Sequence, residues 1–211
     1  MGPSDNDLIV YVVDGDLRAR TALKALLESI RLNCEVFASS AEFAMAELSG
    51  KVSCLILDVR SPELRELELV RTQQDCPILI TSAHADIRMA VKAIKVGALD
   101  FFSKPYRDQD LLEGVQGALM HGYASRQARM QLRDLLERYA SLTQREKQVM
   151  QLVCDGLKGK QVAHMLGVTE ITIKVHRQNI MRKLSAHSFP ALVRMADAIA
   201  AIARTSALEE G

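Results

Sequence analysis

The sequence predicts an α/β domain built on a parallel sheet, then a long helical linker and a small all-α domain. Three observations carry this. Five short apolar runs within residues 8–103 alternate with stretches whose apolar residues recur at helical spacing. From residue 141 onward the strand pattern disappears and short helical segments follow one another. Charge divides the chain the same way: residues 1–125 hold 13 Lys and Arg against 18 Asp and Glu, and residues 126–211 hold 14 against 8, so a formal net charge of +1 conceals an acidic half and a basic half. A basic half points to nucleic acid or another anionic partner. With 211 residues, each domain can bury its own core.

Composition excludes several classes. Cys34, Cys54, Cys76 and Cys154 show no C-x-x-C spacing, so free, largely buried thiols in a reducing compartment are expected. There is no charged-then-apolar leader and no unbroken apolar stretch near 18 residues. A cytoplasmic protein that makes no use of a membrane is the expectation.

Leu8–Val13 is a β-branched run ending at Asp14-Gly15-Asp16, and Leu17, Leu23, Leu26, Leu27 and Ile30 then recur as on a helix. Cys34–Phe37 is a short strand, and Ser39 with Glu42 forms a capping box opening a helix through about Leu48. Cys54-Leu55-Ile56-Leu57 runs straight into Asp58 and is broken at Pro62, the pattern of a strand buried on both faces. A helix over about Leu64–Gln73, a strand at Ile78–Thr81 ending at Ser82, a helix from Asp86 to about Val96 closed by Gly97, and a strand at Leu99–Ser103 complete five β/α units.

The polar residues at these strand ends lie at the carboxyl edge, where Asp14, Asp58, Ser82 and Lys104 would meet. A carboxylate nucleophile, a second carboxylate for a hard cation, a hydroxyl and an ammonium for phosphoryl oxygens make a set suited to phosphoryl transfer onto Asp58.

Val12-Val13-Asp14, Leu57-Asp58-Val59-Arg60-Ser61-Pro62, Ile80-Thr81-Ser82-Ala83-His84 and Phe101-Phe102-Ser103-Lys104-Pro105 resemble the motifs of a response-regulator receiver domain over residues 7–120. The resemblance implies a flavodoxin-like five-stranded parallel sheet of order 2-1-3-4-5. It implies Asp58 as phosphoacceptor, Ser82, Phe101 and Lys104 as phosphoryl-contacting and switch residues, and a cis Lys104-Pro105 bond. Mg2+ would be held by Asp14, Asp58 and Arg60.

Three departures mark the receiver as partly degenerate. Members of the family usually carry two adjacent acids after the first strand, the second a direct Mg2+ ligand, and here that position is Gly15. Asp16 follows, where a carboxylate near a helix N-terminus has an ordinary dipole explanation. The usual Met-Pro-Gly after the acceptor is Ser61-Pro62-Glu63, and the chain from Asp58 to Ser82 is about four residues short of its relatives. Losing one carboxylate weakens the Mg2+ site, so two routes stay open, phosphorylation of Asp58 or a phosphorylation-independent one. Val12-Val13-Asp14-Gly15-Asp16 also mimics the D-x-D nucleophile of haloacid-dehalogenase-type phosphatases, a reading that leaves Asp58 idle and residues 141–203 unexplained.

From Asp108 to Tyr139 the apolar positions fit one helix about 48 Å long, residues 121–140 forming the linker. Gly114, Gly117 and Gly122 argue against uniform stiffness. Leu132, Leu136 and Tyr139 suit either a short dimer seam or packing against the next domain. Beyond it, helices are expected at Gln144–Cys154, Gly159–Leu166, Ile171–Leu184 with Thr169 as cap, and about Phe189–Ile202. The second and third, joined by the turn Gly167-Val168-Thr169, have helix-turn-helix spacing.

Leu142–Val149, Gly156-Leu157, Lys160–Ala163, Leu166–Val168 and Thr172–Leu184 closely resemble a LuxR-type DNA-binding domain over residues 141–203, with Gly159 where the family prefers Asn. The resemblance implies Lys174, Val175 and Gln178 as base-edge readers of double-stranded DNA, with Thr172, His176, Arg177, Arg182 and Lys183 as backbone contacts or their supports. The stripe Leu192, Met195, Ala196 and Ile199 would mediate dimerisation or fill the core. Together the halves resemble a FixJ-like regulator of the NarL/FixJ group: not an enzyme, answering to a sensor histidine kinase, and a homodimer when active. A protein-interaction module that never touches DNA is the remaining alternative, disfavoured by the basic third helix.

Overall fold

The computed structural model describes residues 7–60, 76–84 and 86–209. The chain forms two compact units, Met1–Ala128 and Arg129–Gly211.

In the first unit β1 (Leu8–Val13), α1 (Leu17–Ser29), β2 (Asn33–Phe37), α2 (Ser40–Met45), β3 (Val52–Asp58), β4 (Ile78–Ser82), α3 (Ile87–Val96) and β5 (Asp100–Ser103) lead into α4 (Asp108–Ala140). The five strands form one parallel sheet in the order β2-β1-β3-β4-β5, as the receiver resemblance implies. Strand alternation divides its core between two faces. Ile9, Tyr11, Val13, Leu55, Leu57, Ile78 and Ile80 meet Phe43 of α2 and Met89 and Ala93 of α3. Val10, Val12, Cys54, Ile56 and Leu79 meet Leu23 and Leu27 of α1 and Leu111, Val115, Ala118 and Leu119 of α4. Sandwiched this way, β1 and β4 are buried at every position.

Local chemistry sets the helix ends. Asp16 caps α1, accepting from the Arg18 and Ala19 amides, so it is the residue ahead of the helix. Ser39 accepts from the Glu42 amide while the Glu42 carboxylate accepts from the Ala38 amide. The expected helix through Leu48 stops at Met45, because Ala46 is already extended (φ −77°, ψ 141°). Asp86 caps α3, and Gly97 closes it in the left-handed region at φ 112°. The helix expected at 64–73 lies outside the described residues.

Helix α4 runs unbroken for 33 residues. Two of its three glycines are explained by close approach. A Cβ at Gly114 would stand 2.6 Å from Phe102 Cζ, and one at Gly122 would stand 3.2 Å from both the Ser53 carbonyl oxygen and Pro77 Cδ. Here glycine brings a helix against the sheet.

The second unit contains α5 (Gln144–Cys154), α6 (Gly159–Leu166), α7 (Glu170–Leu184) and α8 (Phe189–Glu209), the last longer than expected. Val149, Met150, Val153, Val162, Ala163, Ile173, Ile180, Leu184 and Leu192 form its core. Met195, Ala196 and Ile199 are partly buried against that core, so core packing accounts for part of the stripe on the last helix.

Candidate functional site

Parallel strands with the order above bring the ends of β1, β3 and β5 together. Asp14 follows β1 and is 1% exposed; Asp58 ends β3; Lys104 follows β5. The Lys104 Nζ donates to Asp14 Oδ2 at 2.7 Å and to Asp58 Oδ1 at 2.5 Å. Its backbone is fixed by its own N–H donating to the Ser82 carbonyl at 2.8 Å, and the Lys104-Pro105 bond is cis. Burial alone would depress the Lys104 pKa, but hydrogen bonds and charge from the two carboxylates outweigh it and raise it above the ordinary lysine value. Asp14 Oδ1 accepts from the Asp16 amide at 2.8 Å, and Arg20 Nη1 donates to the Asp14 carbonyl at 2.5 Å.

Two hydroxyls end β4, and they part ways. Ser82 Oγ donates to the Val59 carbonyl at 2.7 Å and accepts from the His84 amide at 3.2 Å. Thr81, the register partner of Asp58, brings its Oγ1 to 3.4 Å from Asp58 Oδ1. The receiver resemblance singles out Ser82; the strand register pairs Thr81 with Asp58. Phe101 is half-buried against the core on the α3 side.

Arg60 adds a second cation. Its Nε stands 3.7 Å from Asp58 Oδ2, and its guanidinium lies over Gly15. The four buried or half-buried carboxylate oxygens of Asp14 and Asp58 therefore all face a donor or a cation. Among the described residues no group of three or more His, Cys, Asp or Glu is arranged to hold a metal ion. Mg2+ keeps most of its waters and asks for one or two free carboxylates, and here Lys104 and Arg60 already engage both, so the donor set as it stands does not fit the ion.

In the second unit Lys174, Val175, Gln178 and Arg182 fall within an arc of about 100° on α7 and are all exposed, beside the exposed Ile171. Thr169 starts the helix, accepting from the Thr172 amide, with the two hydroxyls 2.9 Å apart. Arg177 lies 5.4 Å over the Phe189 ring, and His176 is half-buried. Lys183 turns inward. Its Nζ donates to Glu146 Oε2 at 2.7 Å and to the Ser141 carbonyl at 3.1 Å. Glu146, 4% exposed, also closes the Thr143 capping box at the start of α5. Burial would raise its carboxyl pKa, but Lys183 and Thr143 hold it below the ordinary value. This buried tie is hard to see in the sequence, where Glu146 looks like an ordinary capping residue.

A family model described as response regulator receiver domain matches residues 10–116, and one described as bacterial regulatory proteins, luxR family, matches residues 140–196. The chain belongs to the response regulators. It is a receiver joined to a LuxR-type DNA-binding domain, homologous to transcriptional regulators of the NarL/FixJ group. It is 41% identical over 198 residues to response regulator protein TodT of Pseudomonas putida, covering 92% of this chain and 87% of that one. It is 35% identical over 191 residues to transcriptional regulatory protein FixJ of Bradyrhizobium diazoefficiens, covering 89% and 93%. The solved structure of response regulator StyR superposes with a TM-score of 0.78 at 39% identity, covering 90% of this chain and 98% of that one. The phosphatase reading is not favoured, since both halves of this response regulator are accounted for. Receivers as a class generally bind Mg2+ for phosphorylation. Among the described residues no helix of this response regulator is long and apolar enough to cross a membrane.

Proposed function

We propose that this regulator receives its signal at Asp58 and answers it by binding double-stranded DNA through the exposed face of α7. The observation that carries the reading is the meeting of Asp58, Asp14 and Lys104 at hydrogen-bond distance on one sheet edge. Asp58 is the phosphoacceptor. A carboxylate oxygen attacks the phosphorus of a phosphohistidine or a small acyl phosphate, the P–O or P–N bond to the donor breaks, and an aspartyl phosphate forms. Oδ2, whose contact is looser, is the oxygen open to attack. Lys104 stays charged through neutral pH and faces the new phosphoryl oxygens. Ser82 supplies the switch hydroxyl, and Phe101 is the switch aromatic.

On DNA, Lys174 addresses guanine acceptors, Gln178 adenine and Val175 a thymine methyl. Thr172, His176, Arg177 and Arg182 contact or orient toward phosphates, and Lys183 supports them from within. The partner kinase is a sensor histidine kinase, the active species is a homodimer, and the setting is the cytoplasm. Residues 7–120, 121–140 and 141–203 are the receiver, linker and DNA-binding domain.

Incubating the full chain with a small acyl phosphate and reading its intact mass tests the input. A gain of one phosphoryl group that disappears in Asp58→Ala is expected. No adduct with or without Mg2+ would overturn the acceptor role. It would favour the phosphorylation-independent route to which Gly15 points.

A further inference from the structure

We propose that the Arg60 guanidinium is the resident cation of the acidic pocket, seated in the space Gly15 leaves open, so that the two carboxylates are compensated without a divalent ion. The backbone at Gly15 is not in the left-handed region, so no conformational demand calls for glycine there. What the missing side chain provides is room. A Cβ at position 15 would stand 2.6 Å from Arg60 Nη2 and 3.0 Å from Arg60 Cζ. Any other residue would displace the guanidinium.

Charge points the same way. Two carboxylates, Asp14 and Asp58, face two cations, Lys104 and Arg60, and the formal charge of the cluster is zero. An acid at position 15 would evict Arg60 and add a third carboxylate, leaving two uncompensated negative charges, the deficit that a divalent cation matches. Asp16, at the rim, also feels Arg60, but its Oδ1 is taken up by the Arg18 and Ala19 amides. The Arg60 side chain is 65% exposed, so its attraction is screened and it can be displaced without unfolding the unit.

Mn2+ is the probe, having the charge and oxygen preference of Mg2+ and a signal from the free ion in electron paramagnetic resonance. It is titrated into the full chain. Arg60→Ala should bind the ion about tenfold more tightly than wild type by removing the competing cation, and Gly15→Asp at least as much more. Adding Asp58→Asn to Arg60→Ala should abolish the gain. Arg60→Gln repeats the test with the side-chain length kept, and circular dichroism verifies folding of each variant. Wild-type affinity equal to that of both Arg60 variants would overturn the proposal. The titration concerns the resting pocket alone, so a missing phosphoryl adduct would count against Asp58 as acceptor and leave this result standing.

Discussion

Lys104 is bonded to two carboxylates at once, and its removal would leave the buried Asp14 beside Asp58 without the cation that bonds both. Lys104→Met is expected to lower stability by about 2–3 kcal/mol at neutral pH, measured by urea unfolding. Because the folded pKa of Lys104 is raised, its contribution is full below the unfolded value of about 10.5 and is lost as pH rises through the folded one. Wild type should therefore lose stability in that alkaline range more steeply than Lys104→Met. The hydroxyls give a second residue-scale expectation. Ser82→Ala strands the Val59 carbonyl and the His84 amide and should cost about 1–2 kcal/mol. Thr81→Val, which removes only a 3.4 Å contact, should cost less than about 1 kcal/mol in the same assay. Asp14, Asp58 and Lys104 were legible in sequence because strand ends in a parallel sheet must share an edge. The seat of Arg60 over Gly15 was not, since it depends on a side-chain path that no periodicity encodes.

At the scale of elements, α4 separates propensity from packing. Gly117 is exposed, with nothing within 4 Å of where a Cβ would stand, whereas the rigid Phe102 ring crowds the same place at Gly114. Gly117→Ala should stabilise the chain by about 0.5–1 kcal/mol through helix propensity. Gly114→Ala should destabilise it by about 1–2 kcal/mol despite the same propensity gain, because the ring has no flexible end to move aside. Thermal melts of the two variants should shift in opposite directions. Helix periodicity and caps such as Ser39 and Thr169 made most elements readable in advance. Composition alone suggested that the three glycines soften α4, because a sequence does not say which glycine faces an aromatic ring.

For the whole molecule, the basic half of the chain meets DNA only with the cations that reach solvent. Arg182 and Lys183 are adjacent in sequence and indistinguishable by composition, yet Arg182 is exposed and Lys183 is bonded to Glu146. If α7 lies along a DNA groove, Arg182→Ala should weaken binding to all sequences alike and lower the salt slope by about 0.9, the signature of one lost phosphate contact. Lys183→Ala should leave that slope unchanged and instead cost about 2–3 kcal/mol of fold stability by stranding a buried carboxylate. Lys174→Ala with Gln178→Ala should erase the preference between a target promoter and unrelated duplex while keeping most of the salt dependence. These variants separate three roles on one helix: a charge that holds the backbone, a pair that reads bases, and a lysine that keeps the helix in place. Fluorescence anisotropy across a salt series, run beside urea unfolding, distinguishes them. Retained promoter preference in the double variant would move base reading off Lys174 and Gln178. An unchanged salt slope in Arg182→Ala would move the phosphate contact elsewhere on the basic unit.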